Sequence, residues 1–298
     1  MSTTRIKIIH HNDLDGYIAG TILKIKYPKA KCYCVNYDNQ ETFPSKKEFS
    51  KNDAVFMVDF CAKPEMMKWF QDNVDFYWID HHISAIDNSK IYGWENIKGI
   101  RKVGECGAEL TWQFVTKEKE IPSFIKLVGD YDTFRRNKEN YHNDKVLPFS
   151  FGSQNHMEQM NPSNYNKEDF LFKSFDDFKD ESKVEQFQLE GQIVYNYIKS
   201  TGSIENKLNC FVRELWGYRV LCMNSCSRGS TQFTIPETWN PDKHDMMLIY
   251  YFNGNNWCYG FYTEKDDVDV SIIARKYNGG GHKGAAGATT KELIKELK

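Results

Sequence analysis

Five short segments of this chain carry residue types whose spacing could do chemistry. His11-Asn12-Asp13-Leu14-Asp15-Gly16 packs one imidazole and two carboxylates together, then a glycine that lets the chain turn into a helix. Taken alone, Asp13 or Asp15 could simply cap that helix, a position Asp favours. Asp59 ends the apolar run Ala54-Val55-Phe56-Met57-Val58, where a carboxylate is costly unless it is paired, capped or metal-bound. Asp80-His81-His82 follows a second apolar run, Phe76-Tyr77-Trp78-Ile79. Asp130-Tyr131-Asp132 follows the helical Phe124–Val128 and reads equally as a helix end with an Asx-type turn. Together these carboxylates and imidazoles form a ligand set that suits Mn²⁺ or Mg²⁺ rather than a thiol-loving metal. Two such ions about 3.5–4 Å apart, bridged by a carboxylate and a hydroxide, are a common engine of phosphoester hydrolysis.

The fifth segment is Gly279-Gly280-Gly281-His282-Lys283-Gly284-Ala285-Ala286-Gly287. Consecutive glycines let backbone N–H groups approach a phosphate, and His282 and Lys283 add donors. The GxxxxGK[ST] order of a P-loop is absent. A flexible linker would favour Ser over His-Lys and small packing residues.

The elements that must position these groups alternate. Ile6–Ile9, Lys31–Tyr37, Ala54–Asp59 and Val74–Asp80 read as strands, with helical patterns over Tyr17–Lys26, Pro64–Gln71, Cys106–Thr116 and Ser123–Val128. That alternation argues for an α/β domain with a mostly parallel sheet, whose ligands bind at the C-terminal strand ends. Asn137–Asp177 is polar, aromatic and weakly periodic, and reads as an irregular or helical insertion over the main domain. Phe178–Ser200 is helical, with Val184, Phe187, Leu189, Ile193, Val194 and Ile198 apolar. Beyond it lie strands at Cys210–Arg213, Tyr218–Met223, Met246–Phe252 and Trp257–Tyr262, and a helix at Val270–Tyr277.

Composition excludes several classes. The chain has 298 residues, 39 Lys+Arg against 41 Asp+Glu and a net charge of −2, so sustained binding of long duplex DNA by charge alone is not expected. Its longest apolar run, Met246–Phe252, is far short of the roughly 20 residues a membrane span needs. Met1–Arg5 has no signal-peptide core, so a cytoplasmic location is expected. None of the eight cysteines lies in a CxxC pair, which argues for buried, reduced thiols rather than a zinc site.

In order and spacing the motifs resemble the DHH superfamily of phosphoesterases: His11-x-Asp13-x-Asp15-Gly16, Asp59, Asp80-His81-His82, Asp130, and Gly279-Gly280-Gly281-His282 with Ala285-Ala286-Gly287. The last element resembles the hallmark of the DHH-associated C-terminal domain. The compact first motif and Gly107-Ala108-Glu109-Leu110-Thr111-Trp112 look most like the branch of oligoribonucleases (nano-RNases) and cyclic-nucleotide phosphodiesterases.

The resemblance implies an α/β fold of two domains with the active site in the cleft. These are an N-terminal parallel-sheet catalytic domain over 1–180, with an insertion at about 137–177, and a smaller α/β substrate-binding domain over 205–298, joined by a helical linker over 181–204. By analogy, His11 and Asp13 would bind one metal and Asp15 the other, with Asp59 bridging. His81 and Asp130 would complete the second site, and His82 would face the phosphate. Asp130 is preferred to Asp132 because its spacing to Phe134 looks like the family's fourth motif. Gly279, Gly280, Gly281, His282 and Lys283 would hold the substrate.

The cofactors implied are two divalent cations, Mn²⁺ first and Mg²⁺ or Co²⁺ as alternatives. The substrate implied is short RNA, cut to 5′-mononucleotides by a metal-activated hydroxide, or else a cyclic mono- or dinucleotide or a linear dinucleotide. A catalytically inactive nucleotide-binding module is the reading outside enzymology, and a homodimer is compatible with all of these. One departure stands out: many relatives carry an arginine in the strand before the final helix, and Gly260–Lys265 has none. Lys265, Lys283, Arg135 and Arg136 are the candidates to replace it.

Overall fold

Strand β1 (Arg5–His11) rises through the middle of a four-stranded sheet whose order is decided by which way the chain leaves it. In the computed structural model, which describes residues 5–37, 43–135, 141–226 and 239–298 (side chains at 202–207 excepted), β1 is followed by helix α1 (Leu14–Lys26) and strand β2 (Lys31–Val35). Then come β3 (Asp53–Val58), α2 (Pro64–Asn73), β4 (Asp75–Ile79), α3 (Ile83–Tyr92), α4 (Gly107–Thr116) and α5 (Ser123–Asp132). The sheet order is β2-β1-β3-β4 and every pairing is parallel. The chain therefore leaves β1 to one side and returns on the other, so the strand order reverses between β1 and β3. In open α/β sheets that switch point opens a crevice at the carboxyl ends of the strands.

Both faces of the sheet are covered at its centre, so β3 is buried along its whole length and apolar from Ala54 to Val58. The twofold period still sorts the side chains. Ile8, Phe56 and Val58 face a core with Ile18, Ile22, Trp112 and Phe124, while Ile9, Val55 and Met57 face Met67, Phe70 and Trp78. Helix α3 was not anticipated from sequence. Its hydrophobic residues show almost no one-sided pattern, with Ile91 and Tyr92 exposed, and Gly93 closes it in the left-handed conformation at φ 72°.

Of the two forms open to the insertion, irregular or helical, its described residues take the helical one: a π-turn at His142–Val146, then α6 (Leu147–Gln154) and α7 (Met157–Met160). It carries core rather than lying over it. Phe149 and Phe172 are fully buried against Phe124, and Thr21 donates to the Met160 carbonyl at 2.8 Å from within α1. Helix α8 (Glu181–Asn209) follows, and contacts divide the chain into units at Met1–Gln192 and Ile193–Lys298.

The second unit holds β5 (Cys210–Leu215), β6 (Tyr218–Asn224), β7 (Met246–Phe252), β8 (Trp257–Tyr262), α9 (Val270–Arg275), β9 (Gly280–Gly281) and β10 (Ala285–Thr290). Its sheet runs β5-β6-β7-β8-β10-β9, mixed in direction because β6 and β7 alone pair in parallel. A parallel sheet and a mixed sheet in two units give the α/β class expected from sequence.

The glycine segment departs from the open loop expected. Gly280 and Gly281 pair with Gly287 and Ala286, and the His282 N–H donates to the Ala285 carbonyl at 2.7 Å. A side chain at Gly279 would sit 2.1 Å from the Gly287 carbonyl oxygen, and Gly281 lies at φ 139°. Close strand packing thus accounts for two of the three glycines. All eight cysteines are free thiols, but only Cys106 and Cys222 are buried and Cys226 is exposed. No helix among the described residues is long and apolar enough to cross a membrane.

Candidate metal centre

The ends of β1, β3 and β4 and the start of α4 bring the acidic and histidine segments together. Asp13 caps α1, its Oδ1 accepting from the Gly16 N–H at 2.8 Å, as the bland sequence reading allowed. Its other oxygen lies 2.6 Å from His11 Nδ1. Burial works against that carboxylate, but the His11 contact and charge hold it down at about 2. Gly16 is required here, because a Cβ would fall 2.4 Å from the His11 carbonyl oxygen.

Asp15 points from the first turn of α1 to the N-terminus of α4. Its two oxygens accept from the Gly107 and Ala108 N–H groups, each at 2.7 Å, where the helix dipole favours negative charge. Gly107 makes that approach feasible, since a side chain there would meet Asp59 Cβ at 2.6 Å and Asp15 Oδ2 at 3.0 Å.

Asp59 leaves β3 in the left-handed conformation, φ 53°, which a non-glycine residue adopts at a cost. The turn aims the carboxylate between two groups. Oδ1 lies 3.0 Å from His81 Nε2 and Oδ2 lies 3.8 Å from His11 Nδ1. Asp80, by contrast, does not join the cluster as a free ligand. It accepts from the His81 and His82 N–H groups, from His82 Nδ1 at 2.8 Å and from Trp78 Nε1 at 3.2 Å, so it orients the histidines. Burial opposes a charged His82, yet the Asp80 carboxylate outweighs it and raises His82 to about 9. Burial and then the neighbouring His82 hold His81 below the ordinary imidazole range, in the neutral form a metal ligand needs.

Of the two acids, Asp132 and not the preferred Asp130 faces the cluster. Asp132 Oδ2 lies 3.4 Å from His81 Nε2, and Asp15, His81 and Asp132 form one group of converging ligand atoms. Asp130 is spent elsewhere: Arg135 Nε donates to it at 2.8 Å and the Tyr141 hydroxyl at 3.1 Å. Both acids lie on α5, two positions and so about 200° apart around the helix, which places one towards the cluster and the other towards Arg135. Arg135 also grips Glu109 through two 2.9 Å bonds, and Glu109 accepts from the Cys106 N–H at the start of α4. Sequence reading missed this bridge; only an acid followed five positions later by arginine hinted at it.

The residues present fit divalent cations. His11, Asp13 and Asp59 form one group and Asp15, His81 and Asp132 a second, and Asp59 Oδ1 also reaches His81. Asp59 Oδ2 and Asp132 Oδ2 are buried with no hydrogen-bond partner among the described residues. Burial first, and then the carboxylates of Asp15 and Asp13, push the Asp59 and Asp132 carboxyls well above their ordinary range. Bound cations would remove both penalties.

Of the cations named as substitutes for the family's arginine, Lys265 pairs with Asp245 at 2.6 Å, Lys283 donates to the Asp266 carbonyl and Arg135 is held by Glu109 and Asp130. Arg136 lies outside the described residues.

No family model matches the chain. Over 306 aligned positions it is 24% identical to oligoribonuclease NrnB of Bacillus subtilis, covering 96% of this chain and 73% of that one. It is 25% identical to the uncharacterized protein R106 of Acanthamoeba polyphaga mimivirus, over 80% of this chain and 53% of the relative. Among solved structures, PggH, a pGpG-specific phosphodiesterase from Vibrio cholerae, superposes with a TM-score of 0.52 at 12% identity, covering 96% of this chain and 94% of that one. That likeness is one of fold.

Proposed function

We propose that this chain is a DHH-superfamily nucleotide phosphodiesterase that hydrolyses short oligoribonucleotides to 5′-mononucleotides. The observation that carries the reading is the convergence of His11, Asp13, Asp15, Asp59, His81 and Asp132 at the switch point of the parallel sheet. Two divalent cations, Mn²⁺ first, would be held by these residues and would supply Lewis acidity and an activated water.

The chain's own residues do the remaining work. Asp59 holds the two ligand groups in register, because its strained backbone fixes one oxygen towards each. The α4 N–H groups fix Asp15 without consuming a side chain. Asp80 holds Nδ1 of His82, so the proton His82 offers to a substrate phosphate is the one on Nε2, a donor preorganised for developing charge. The name of the NrnB relative supports short RNA as the substrate class.

The test is product analysis with purified protein and Mn²⁺, using 5′-labelled RNA of two, five and about twenty-four nucleotides, a cyclic dinucleotide, and an Asp59→Asn control. Fast conversion of the two- and five-mers to mononucleotides, lost in Asp59→Asn, is the expected result. Preference for the cyclic substrate would keep the site and change the substrate. Absence of Mn²⁺-dependent cleavage of every substrate would overturn the proposal.

A further inference from the structure

The N-terminal edge of the same sheet, opposite the candidate metal centre, carries a concave pocket of about 920 Å³ that the proposed chemistry does not use. The seven residues of β1, at about 3.3 Å each, put it roughly 20 Å from the ligand cluster. Its wall holds six cationic side chains, Arg5, Lys7, Lys26, Lys29, Lys31 and Lys47, against one acid, Glu48. The chain as a whole carries a net charge of −2, so this concentration is local.

Part of that charge is already answered. Buried Asp53 takes Lys7 and Arg5, each at 3.0 Å, and Glu48 takes Lys31 at 2.6 Å. Counting both acids leaves a surplus of four positive charges around one concavity. Lys26, Lys29 and Lys47 are exposed and make no ion pair among the described residues. Like charges on a concave wall repel, and the field they focus draws an anion. Apart from Ser50, the rest of the wall is apolar or aromatic, with Ile6, Tyr27, Pro28, Ala30 and Phe49, and the half-buried Tyr27 ring offers a surface for a base. The volume suits a nucleotide-sized ligand.

We propose that this basic pocket is a second binding site, for nucleotide phosphate groups, distinct from the hydrolytic centre. Two sources share that chemistry: a free mononucleotide, which would make the pocket an effector site, and the distal part of an RNA strand, which would make it a hold on substrate. The site is read from charge and shape at its own edge and stands whether or not the metal centre cleaves RNA.

The experiment measures equilibrium binding to the full chain in EDTA, so that phosphate is not recruited through cations at the acidic centre. The probes are fluorescent AMP and a fluorescein-labelled twelve-nucleotide RNA, titrated at two salt concentrations. The protein is the wild type, the charge-reversal variant Lys26→Glu/Lys29→Glu/Lys47→Glu, the milder Lys26→Gln/Lys29→Gln/Lys47→Gln, and Asp59→Asn. Saturable, salt-sensitive binding is expected in the wild type and in Asp59→Asn. Both lysine variants should weaken it, the reversal by at least about tenfold, and retain the wild-type melting temperature and Mn²⁺-dependent dinucleotide cleavage. AMP binding would identify the effector site; RNA binding without AMP binding would identify the strand hold. No saturable binding of either probe, or equal affinity in wild type and both lysine variants, would overturn the proposal. Loss of hydrolysis in Asp59→Asn is read separately and bears on the metal centre alone.

Discussion

Gly107→Ala tests the geometry of the metal centre without replacing any ligand side chain. The added methyl would lie 2.6 Å from Asp59 Cβ and 3.0 Å from Asp15 Oδ2. Carbon–carbon contacts settle at about 3.5–4.0 Å, so about 1 Å must be absorbed. Neither neighbour gives easily. Asp59 is fixed at φ 53° at the end of a fully buried strand, and Asp15 is tied to the N–H groups of residues 107 and 108. The displacement therefore falls on Asp59, which lies between the two ligand groups, and on Asp15 of the second group. A misplacement of about 1 Å can cost about 10²-fold in rate, or roughly 2.7 kcal/mol of transition-state stabilisation.

The assay is kcat/KM for a labelled dinucleotide with Mn²⁺, alongside Mn²⁺ affinity by calorimetry. Both should fall, the rate by about a hundredfold. Gly93→Ala is the control. It forces alanine into φ 72° with nothing within 4 Å, and should cost about 1 kcal/mol of stability with no loss of turnover. Gly107→Ala with activity within about twofold of wild type and unchanged Mn²⁺ affinity would refute the reasoning.

Asp132→Asn should lose Mn²⁺ affinity and at least about a thousandfold in turnover, whereas Asp130→Asn should keep Mn²⁺ affinity and lose about 2–3 kcal/mol in denaturant unfolding by weakening the Arg135 bridge; the reverse pattern would restore Asp130 as the ligand. Asp59→Asn should melt higher than wild type in EDTA, because it removes a buried carboxyl crowded by Asp15 and Asp13, yet gain little melting temperature from Mn²⁺, while the wild type gains by mass action. His10 is fully buried, and burial lowers it from 6.5 to about 4. The folded state thus holds it neutral, and its contribution is complete above pH 6.5 and lost as pH falls towards 4. His10→Phe should flatten stability against pH in that window relative to wild type, as read from urea midpoints; an unchanged slope would exclude His10 as its source.

Much of this was legible because strand and chemistry coincide in the sequence. Short apolar, aromatic runs such as Ala54–Val58 and Phe76–Ile79, set between helical patterns, read as buried strands, and a carboxylate or imidazole at the end of such a run must be answered by a partner or a cation. That reasoning located His11, Asp13, Asp15, Asp59, His81 and His82 in one neighbourhood. The choice between Asp130 and Asp132 was beyond it. Two acids on one helical turn differ only in the direction they face, and that depends on where Arg135 and Glu109 sit in space. The glycine segment has the same lesson. Three glycines read as backbone freedom for a ligand, but two answer to a neighbouring strand that lies adjacent only after folding. The sequence by itself determined the α/β class and the residue types of the centre, through periodicity and the cost of buried charge. The tertiary structure alone decided the reversal of strand order between β1 and β3, the left-handed turn at Asp59 and which face of α5 meets His81, because each depends on contacts between segments far apart in the chain.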